Sequence, residues 1–412
     1  MIAERITLEG HLIDSQSLAG VMDEILALGG EFRILEVHIG QSRDERSHAV
    51  LEVRAPTIES MQKVLEAATR HGAICQSAED VEIVPTDMDG AFPTTFYSTT
   101  NQQTYVRYQG QWREVQDQEM DCGLVHDAKS NAFRCVPIAR IKRGDRVVCG
   151  HRGVRIVPLE RQKSHGGFEF MASDISTEKP KTTIIRNCAK LMVQAKRDGK
   201  KQLLVAGPAI VHTGAAEHVV KLIERGYFNV LFAGNALATH DIEHNLFGTS
   251  LGVYLDRATS AEAGHEHHLR AINAIRREGG IAAAVKSGKL TGGIMHACAK
   301  HNVPYVLAGS LRDDGPLPEV ITDVLVAQDH MRAMLAGVGF VLMVATALHS
   351  IATGNILPAW IPVVCVDISP PTLTKLADRG SFQTIGLVTD VEPFFRELLA
   401  EIEREEKAGK AG

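Results

Sequence analysis

Charged side chains follow directly after several short apolar runs of the sequence, and Asp367 is the clearest case. It comes after Val363-Val364-Cys365-Val366, which has the composition of a buried strand. A carboxylate at the carboxyl end of such a strand can accept hydrogen bonds from the ribose hydroxyls of a nucleotide. It can equally cap the helix that is predicted from Pro370. The residue types alone leave both interpretations open.

A second group of this kind is Arg312-Asp313-Asp314, which follows the apolar run Pro304 to Ala308. Acids beside a base could hold the ammonium or the carboxylate of a small substrate. An ordinary charged turn before Gly315-Pro316 is an equally good explanation of the same residues.

The run His240-Asp241-Ile242-Glu243-His244 fits the pattern H-x-x-E-H of the inverted zinc proteases. Two histidines four residues apart on a helix share a face and could bind zinc, with Glu243 as general base. That motif needs a distant third ligand and a helical protease scaffold, whereas this run follows a predicted strand of a parallel sheet. We therefore predict no metal site here, and a zinc hydrolase ranks last among the functions considered.

The dinucleotide fingerprint G-x-G-x-x-G is absent after the first predicted strand of this region. Gly337-Val338-Gly339 lacks the third glycine and lies in the apolar run Met334 to Leu348, which we interpret as a buried helix. Phosphate groups could instead be held by His212-Thr213-Gly214, where backbone amides begin a helix. An unremarkable helix start is the alternative.

Alternation of apolar strands with helices from about Pro180 to Phe395 positions these residues. Helices are predicted around His268 to Arg277 and Gly292 to Lys300, and each strand runs into a polar loop. The pattern predicts a doubly wound parallel sheet, in which ligands bind beyond the carboxyl ends of the strands. The six predicted strands are 202–207, 229–233, 304–308, 322–327, 361–366 and 384–388.

The part of the chain before this sheet has two different patterns. Residues 4 to 84 read strand, helix, strand, strand, helix, strand, with the last strand at Val81 to Val84, which is the order of a ferredoxin-like fold. Short alternating runs with Gly and Asp between them then predict a small barrel-like β domain. We expect a ferredoxin-like domain at 1–84, the β domain at 85–160, a linker at 161–181, the Rossmann-like domain at 182–403 and a charged tail at 404–412.

Composition excludes several functional classes. A net charge of −6 argues against general nucleic-acid binding, which needs a basic face. The run Met334 to Leu348 is shorter than the roughly 20 apolar residues of a membrane span. Seven cysteines without a C-x-x-C pair suit a reducing compartment. We therefore expect a cytoplasmic protein that acts on a small molecule.

Several long runs together resemble the LOR/SDH conserved-domain family, which includes the archaeal-type ornithine cyclodeaminases and the carboxyl-terminal part of cyanobacterial bifunctional arginine-degrading enzymes. The resemblance spans nearly the whole chain. It implies a ferredoxin-like front domain, a small β domain and an NAD-binding domain similar to that of deoxyhypusine synthases, which bind NAD without G-x-G-x-x-G. The runs that carry it include Phe96 to Asn101, Glu119 to Cys122, Ala132 to Pro137, Phe168 to Met171, Ala233 to Glu243 and Ala308 to Pro318.

The resemblance also implies which residues meet the cofactor. Phosphate would lie against Thr213 and Gly214, and the adenosine ribose would bind Asp367 beside Ile368. The dinucleotide would run along Ala233, Gly234 and Asn235, with Gly309 and Ser310 close to the nicotinamide. Pro208-Ala209 stands where the synthases typically carry Ser-Asn, and the synthases' catalytic lysine segment has no counterpart, which argues against spermidine transfer.

The implied reaction is the conversion of L-ornithine to L-proline and ammonia, with NAD used and regenerated. Asp313 or Asp241 is our candidate for the general base, with His240 assisting. Arg312 and Arg107 are candidates for binding the substrate carboxylate, and Asn101 for orienting the substrate.

Other functions remain open at this stage. An NAD-dependent amino-acid dehydrogenase would share the fold and cofactor but would accumulate NADH. A regulatory protein would bind NAD or an amino acid without forming a product. An acid at position 367 favours NAD over NADP, because it would repel a 2′-phosphate. We expect a homo-oligomer, a dimer or tetramer, with no nucleic-acid or membrane partner.

Overall fold

In the computed structural model, the described residues form two compact units. Unit 1 comprises Met1–Gly167 and Asn355–Trp360, and unit 2 comprises Phe168–Gly354 and Ile361–Gly412. The predicted linker lies outside the described part of the chain, except for its last residue, Lys181. The described residues are 2–10, 12, 17–40, 45, 47–75, 79–157, 181–251, 253–254, 259–260, 266–313, 315–379 and 384–411.

Unit 1 begins with a four-stranded antiparallel sheet in the order β2-β3-β1-β4. Helix α2 is fixed at its start by a capping box, in which the Thr57 and Ser60 side chains bond to each other's backbone N–H groups. The strand order and two helices confirm the predicted ferredoxin-like fold. The elements are β1 (Ile2–Gly10), α1 (Ser17–Ala27), β2 (Glu31–His38), β3 (Ser47–Ala55), α2 (Ile58–Arg70) and β4 (Ile74–Cys75).

The last strand of this sheet is not the predicted one. Ile74–Cys75 completes the sheet, and its residues pair with Thr7 and Ile6 of β1. The predicted strand at Val81 to Val84 instead falls in β5, which pairs with a strand of the second sheet. The prediction was wrong because a two-residue strand carries too little alternation to be visible in the sequence.

The second sheet of unit 1 has seven strands in the order β11-β6-β7-β9-β8-β10-β5. All neighbours are antiparallel except β7 and β9. Phe133, Leu124, Val106 and Val148 are fully buried in its core. The elements are β5 (Glu82–Pro85), β6 (Gln103–Tyr108), β7 (Gln111–Gln116), β8 (Gly123–Asp127), β9 (Ala132–Val136), a 3-10 helix (Ile138–Arg140), β10 (Arg146–Cys149) and β11 (Val154–Val157).

Unit 2 is built on a seven-stranded sheet in the order β18-β17-β13-β12-β19-β20-β21, with every pair parallel. A separate small sheet contains β14, β15 and β16. The elements are α3 (Lys181–Arg197), β12 (Lys201–Ala206), α4 (Ala209–His212), α5 (Ala216–Glu224), β13 (Val230–Gly234), α6 (Asn235–Phe247), β14 (Thr249–Ser250), β15 (Val253–Tyr254), β16 (Thr259–Ser260), α7 (His267–Glu278), α8 (Ile281–Lys286), α9 (Gly293–Lys300), β17 (Tyr305–Ala308), β18 (Val320–Ile321), α10 (Val324–Met334), β19 (Val338–Val344), α11 (Ala347–Ile356), β20 (Val363–Asp367), α12 (Pro370–Arg379), β21 (Thr384–Val388) and α13 (Val391–Ala411).

The parallel sheet is buried on both faces. Leu204 and Leu342 pack into the large core cluster on one face. Their neighbours Leu203, Val205 and Val341, which point to the opposite face, are also fully buried. This is why the strands read as continuous apolar runs. The Rossmann-like, doubly wound parallel sheet is therefore confirmed.

Two elements of this sheet differ from the prediction. The run Met334 to Leu348, predicted as a buried helix, contains the central strand β19 between β12 and β20. The predicted strand 322–327 is instead the start of α10, because the Asp323 carboxylate accepts hydrogen bonds from the backbone N–H groups of Leu325 and Val326. Fully buried strands and buried helices share the same apolar composition, so periodicity does not separate them.

The carboxyl-terminal helix is longer than predicted. Helix α13 continues without a break to Ala411, whereas the sequence predicted a separate charged tail from residue 404. Arg225 lies 3.0 Å from Glu403 and 2.6 Å from Glu406, and these ion pairs hold the charged end of the helix. Within the described residues, no helix combines the length and hydropathy needed to span a membrane.

Candidate functional site

The strand order of unit 2 places one opening at the carboxyl edge of the sheet. The chain winds outward from β12 through β13 and β17 in one direction, and through β19, β20 and β21 in the other. The loops after β12 and β19 therefore leave in opposite directions, which makes this the topological switch point where ligands bind in such folds. The candidate site is built from the loops at this edge.

The loop after β12 is pressed closely against the loop after β19. The Gly207 N–H donates to the Val344 carbonyl at 2.9 Å, and a Cβ at Gly207 would collide with the Ala345 carbonyl oxygen. Only glycine therefore fits here. Further along the loop, Thr213 and Gly214 are exposed, Gly214 has φ +80°, and the space where its Cβ would stand is open. Their predicted contact with phosphate stays a prediction.

Asn235 connects the loops after β13 and β17. Its side-chain oxygen accepts the Leu317 N–H at 3.0 Å and the Thr239 hydroxyl at 3.2 Å. Its Nδ2 lies 3.4 Å from Oδ1 of Asp313. Asn235 thus holds the carboxylate of Asp313 at the edge of the sheet, and the structure brings these two predicted site residues together.

The loop after β17 holds Asp313 from its own backbone as well. The Ser310 N–H donates to Asp313 Oδ2 at 2.8 Å, and the Asp313 N–H donates to the Ser310 carbonyl at 3.0 Å. Gly309 is anchored to the Ile321 carbonyl of β18. Arg312 is exposed, and its backbone N–H donates to the Ser310 hydroxyl. The result is a half-buried carboxylate with a fixed orientation beside an exposed guanidinium.

His349, which the sequence analysis did not single out, lies over the same loops. A Cβ at Gly234 would stand 3.0 Å from His349 Cε1, so the missing side chain of Gly234 makes room for the imidazole. Burial lowers the pKa of His349, and a hydrogen bond to the Ala308 carbonyl and the nearby Asp313 charge oppose that shift. Burial thus favours the neutral form of this imidazole. The prediction that a dinucleotide runs along Ala233 and Gly234 remains untested, and Ala233 itself is fully buried.

Asp367 ends strand β20 as predicted. Its Oδ1 accepts the Ser369 N–H at 2.8 Å, as expected for a residue preceding a helix. Within the described residues its second carboxylate oxygen has no partner, and Ile368 beside it is 71% exposed. Capping and ligand binding are thus compatible, because each uses a different oxygen.

Both carboxylate oxygens of Asp241 are occupied, in contrast to its predicted role as a base. Its two carboxylate oxygens accept the N–H groups of Ile294 and Met295 at 2.7 and 2.8 Å, at the start of α9. Burial raises the pKa of Asp241 to about 6, against the lowering effect of these two hydrogen bonds. A carboxylate with both oxygens occupied inside the protein is suited to fixing a helix rather than to taking a substrate proton.

His240 belongs to a buried hydrogen-bonded chain. Its Nδ1 lies 2.8 Å from Glu243 Oε2, and the Thr249 hydroxyl donates to Glu243 Oε1 at 2.9 Å. The same Thr249 oxygen lies 2.8 Å from Nδ1 of His267. His240 also contacts the ring of His212, at 4.9 Å between centroids. The predicted assisting role of His240 would therefore act through His212 and not through Asp241.

The residues of the H-x-x-E-H run differ in burial. Glu243 is fully buried and bonded to His240, whereas His244 is exposed. Within the described residues, no three His, Cys, Asp or Glu side chains are grouped so as to hold a metal ion.

Arg107 and Asn101, the two predicted site residues in unit 1, differ in the partners of their side chains. The guanidinium of Arg107 lies 3.6 Å from the Asp80 carboxylate. Asn101 is 4% exposed, its carbonyl accepts the Ala359 N–H, and its Nδ2 has no partner among the described residues. Asn101 therefore has a buried N–H donor group that could bind a ligand.

The sequence could have revealed His349 only through the strand before it. Once β19 is interpreted as a helix, a histidine five residues beyond its end has no reason to lie at the edge of the sheet. With β19 assigned as a strand, His349 follows a strand end, like the other candidates.

Comparison with known proteins gives consistent matches along the chain. Residues 186–398 match the model of the Rossmann-fold C-terminal region of ArgZ-like arginine dihydrolases, 103–185 the first region of the same C-terminal part, and 3–102 the LOR/SDH bifunctional enzyme conserved region. A protein of Methanothermobacter thermautotrophicus named ornithine cyclodeaminase is 49% identical over 98% of both chains.

Two solved structures are also similar. The apo structure of ArgZ, an arginine dihydrolase from the ornithine-ammonia cycle in cyanobacteria, is 34% identical with a TM-score of 0.86, covering 98% of this chain and 59% of ArgZ. The ternary complex of AgrE with ornithine and NAD+ is 37% identical with a TM-score of 0.54, covering 99% of this chain and 58% of AgrE. AgrE is a bifunctional arginine dihydrolase/ornithine cyclodeaminase of Nostoc sp..

Proposed function

This chain belongs to the family of the archaeal ornithine cyclodeaminases and the C-terminal regions of ArgZ-like arginine dihydrolases, and from that we propose that it converts L-ornithine to L-proline and ammonia with NAD. The supporting observation is the near-complete match to relatives of that name at 44 to 49% identity. The ternary complex of AgrE with ornithine and NAD+ supports both the substrate and the cofactor.

The residues at the edge of the sheet fit a dinucleotide. Gly214 leaves open space beside exposed backbone, and Asp367 keeps one carboxylate oxygen for ribose hydroxyls. Thr213 and Gly214 would hold phosphate, Asp367 and Ile368 the adenosine ribose, and Gly309 and Ser310 the nicotinamide half. An acid at the ribose favours NAD over NADP.

NAD would supply a temporary acceptor for the hydrogen at the α-carbon and its electron pair, which are returned before product leaves. Between these events the α-imine carbon is attacked by the δ-amine, and the nitrogen that was the α-amine leaves as ammonia. The atoms of ornithine equal those of proline plus ammonia, so there is no net oxidation. The protein's task is to orient the substrate and to move protons.

Asp313 is the residue that we assign to proton transfer. An amine must lose a proton to become an imine, and a departing amine must gain one, so a single well-placed group can act first as base and then as acid. Asp313 is held by Ser310 and Asn235 and lies within electrostatic reach of His349. Asp241 no longer qualifies, because Ile294 and Met295 occupy its oxygens.

The substrate carboxylate needs donors. Arg312 is exposed beside Asp313 and can provide a guanidinium. In unit 1, Asn101 is the better candidate for orienting the substrate, because its Nδ2 lacks a partner among the described residues while Arg107 is close to Asp80.

Incubation of the pure protein with NAD and, separately, ornithine, lysine or arginine tests the proposal. We expect proline and ammonia from ornithine by mass spectrometry, without a steady rise in NADH absorbance. Accumulating NADH would favour the dehydrogenase, and binding without product would favour the regulatory protein. Consumption of lysine or arginine with ornithine unchanged would refute the substrate.

A further inference from the structure

Strand β2 of unit 1 is an edge strand with apolar side chains in solvent. Among the described residues it has a neighbour on one side only, β3. Ile34, Leu35 and Val37 are 45%, 40% and 41% exposed. Unpaired N–H and C=O groups beside exposed apolar residues make an edge strand a template for pairing with another strand.

The register against β3 assigns each residue of β2 to a face. Phe32, Ile34 and Val37 lie opposite Val53, Leu51 and Ala49, which are fully buried in the core of this sheet. Glu31, Arg33, Glu36 and His38 lie opposite the alternate residues of β3 and therefore point to the outer face. The core face of β2 is thus apolar and its outer face is charged.

An irregularity in the strand makes this pattern possible. The register shifts between Ile34 and Glu36, so that Leu35 is an extra residue opposite β3. Such a bulge reverses the alternation of faces along the strand. Because of it, Arg33 and Glu36 share a face although they are three residues apart.

These positions make β2 complementary to a second copy of itself. If two β2 strands pair antiparallel about a twofold axis between Ile34 and Leu35, Arg33 of each copy lies opposite Glu36 of the other. Glu31 then lies opposite His38, and Phe32 lies opposite Val37. In each of these pairs, both residues lie on the same face of the joined sheet. In a twofold interface each such contact occurs twice, and opposite charges directly across a strand pair are favourable.

Arg33 is available for this contact. Its neighbour on β3 is Glu52, but the Glu52 carboxylate already binds Arg54, with 2.5 Å between Arg54 Nη2 and Glu52 Oε1. Arg33 has no ion pair among the described residues. His38 is less decisive, because it lies 3.8 Å from Glu45 in the same chain.

We infer that the protein associates with a second copy through antiparallel pairing of the two β2 strands. This pairing joins two four-stranded sheets into one eight-stranded sheet. The interface adds to the proposed function a specific partner, and its test does not depend on activity.

Charge reversal tests the register. In R33E, and separately in E36R, like charges face each other at both ends of the interface. Sedimentation of the full-length wild type should give a dimer or a multiple of it, and each single variant should show half that mass. An equimolar mixture of R33E and E36R should recover the wild-type mass, because each charge again faces its opposite across the axis.

The matched control is E9R, which makes the same charge change as E36R on the same face but on β1, which β3 separates from the edge strand. It should keep the wild-type mass, and thermal unfolding should show that all variants are folded. A monomeric wild type, or folded single variants with unchanged mass, would overturn the interface. Failure of the mixture to recover the mass would overturn the register.

Discussion

Two clusters of titratable side chains lie in unit 2, and they are built differently. The interior cluster, formed by His240, Asp241 and Glu243, is buried, and its carboxylates accept hydrogen bonds from backbone N–H groups, a hydroxyl and an imidazole. The rim cluster, formed by Asp313 and His349 with Asn235, lies at the ends of the strands, where both titratable groups are half-buried. Each contains residues that the sequence predicted as catalytic: Asp241 and His240 in the interior cluster, and Asp313 in the rim cluster. Their surroundings suggest that the interior cluster supports the fold, whereas the rim cluster can meet a ligand.

The largest expected effect is that of Asp313→Asn on turnover. Removing a general acid–base group typically costs about 10²- to 10⁴-fold in kcat, and we expect that range with little change in thermal unfolding. Steady-state kinetics with ornithine measure it. The distinction between a catalytic rim cluster and a structural interior cluster would be contradicted if Asp241→Asn lowered kcat as much as Asp313→Asn while the protein stayed folded.

Glu243→Ala should instead reduce stability. Its removal leaves His240 and the Thr249 hydroxyl without their buried acceptor, which should lower the free energy of unfolding by about 3 to 5 kcal/mol. Urea unfolding measures the change. His244→Ala on the same helix is the control, since this exposed histidine should alter stability very little. Equal effects from both variants would contradict a structural role for Glu243.

Asp241 should make stability depend on pH. Its pKa rises from 3.8 to about 6 on folding, so between these values the folded protein holds a proton that the unfolded chain has lost. Stability from this group is therefore present at pH 4 and lost as the pH rises through about 6. The change amounts to at most about 3 kcal/mol, at 1.36 kcal/mol per pKa unit. Asp241→Asn should remove this slope, and an unchanged profile would show that burial does not dominate at this carboxyl group.

The smallest expected effect concerns the cofactor. Asp367→Ala should weaken NAD binding by about 1 to 3 kcal/mol, because a hydrogen bond to a charged group is lost. Isothermal titration calorimetry of NAD measures it. Asp390→Ala, at the aspartate that follows the neighbouring strand β21 and binds the Val391 N–H, is the control. An unaltered dissociation constant for Asp367→Ala would remove this residue from the site.

The sequence predicted where several strands end more accurately than whether each apolar run is a strand or a helix. Asp313, Asn235 and Asp367 were predicted as site residues because each follows an apolar run, and the structure shows that each run is a strand. His349 was missed because β19, buried on both faces, was interpreted as a helix. The hydrogen bonds of Asp241 could not be predicted from the sequence for another reason. Its partners Ile294 and Met295 are more than 50 residues away in sequence, and no local pattern shows that a distant helix start occupies a carboxylate.

The central claim is that hydrogen leaves and returns to the same carbon of ornithine. Turnover of ornithine deuterated at the α-carbon, with a catalytic amount of NAD, tests this directly by mass spectrometry of the product. We expect proline that retains the deuterium at its α-carbon, together with one ammonia and no net NADH. Deuterium accumulating in NADH beside an oxidised amino acid, or ornithine left unchanged, would contradict it.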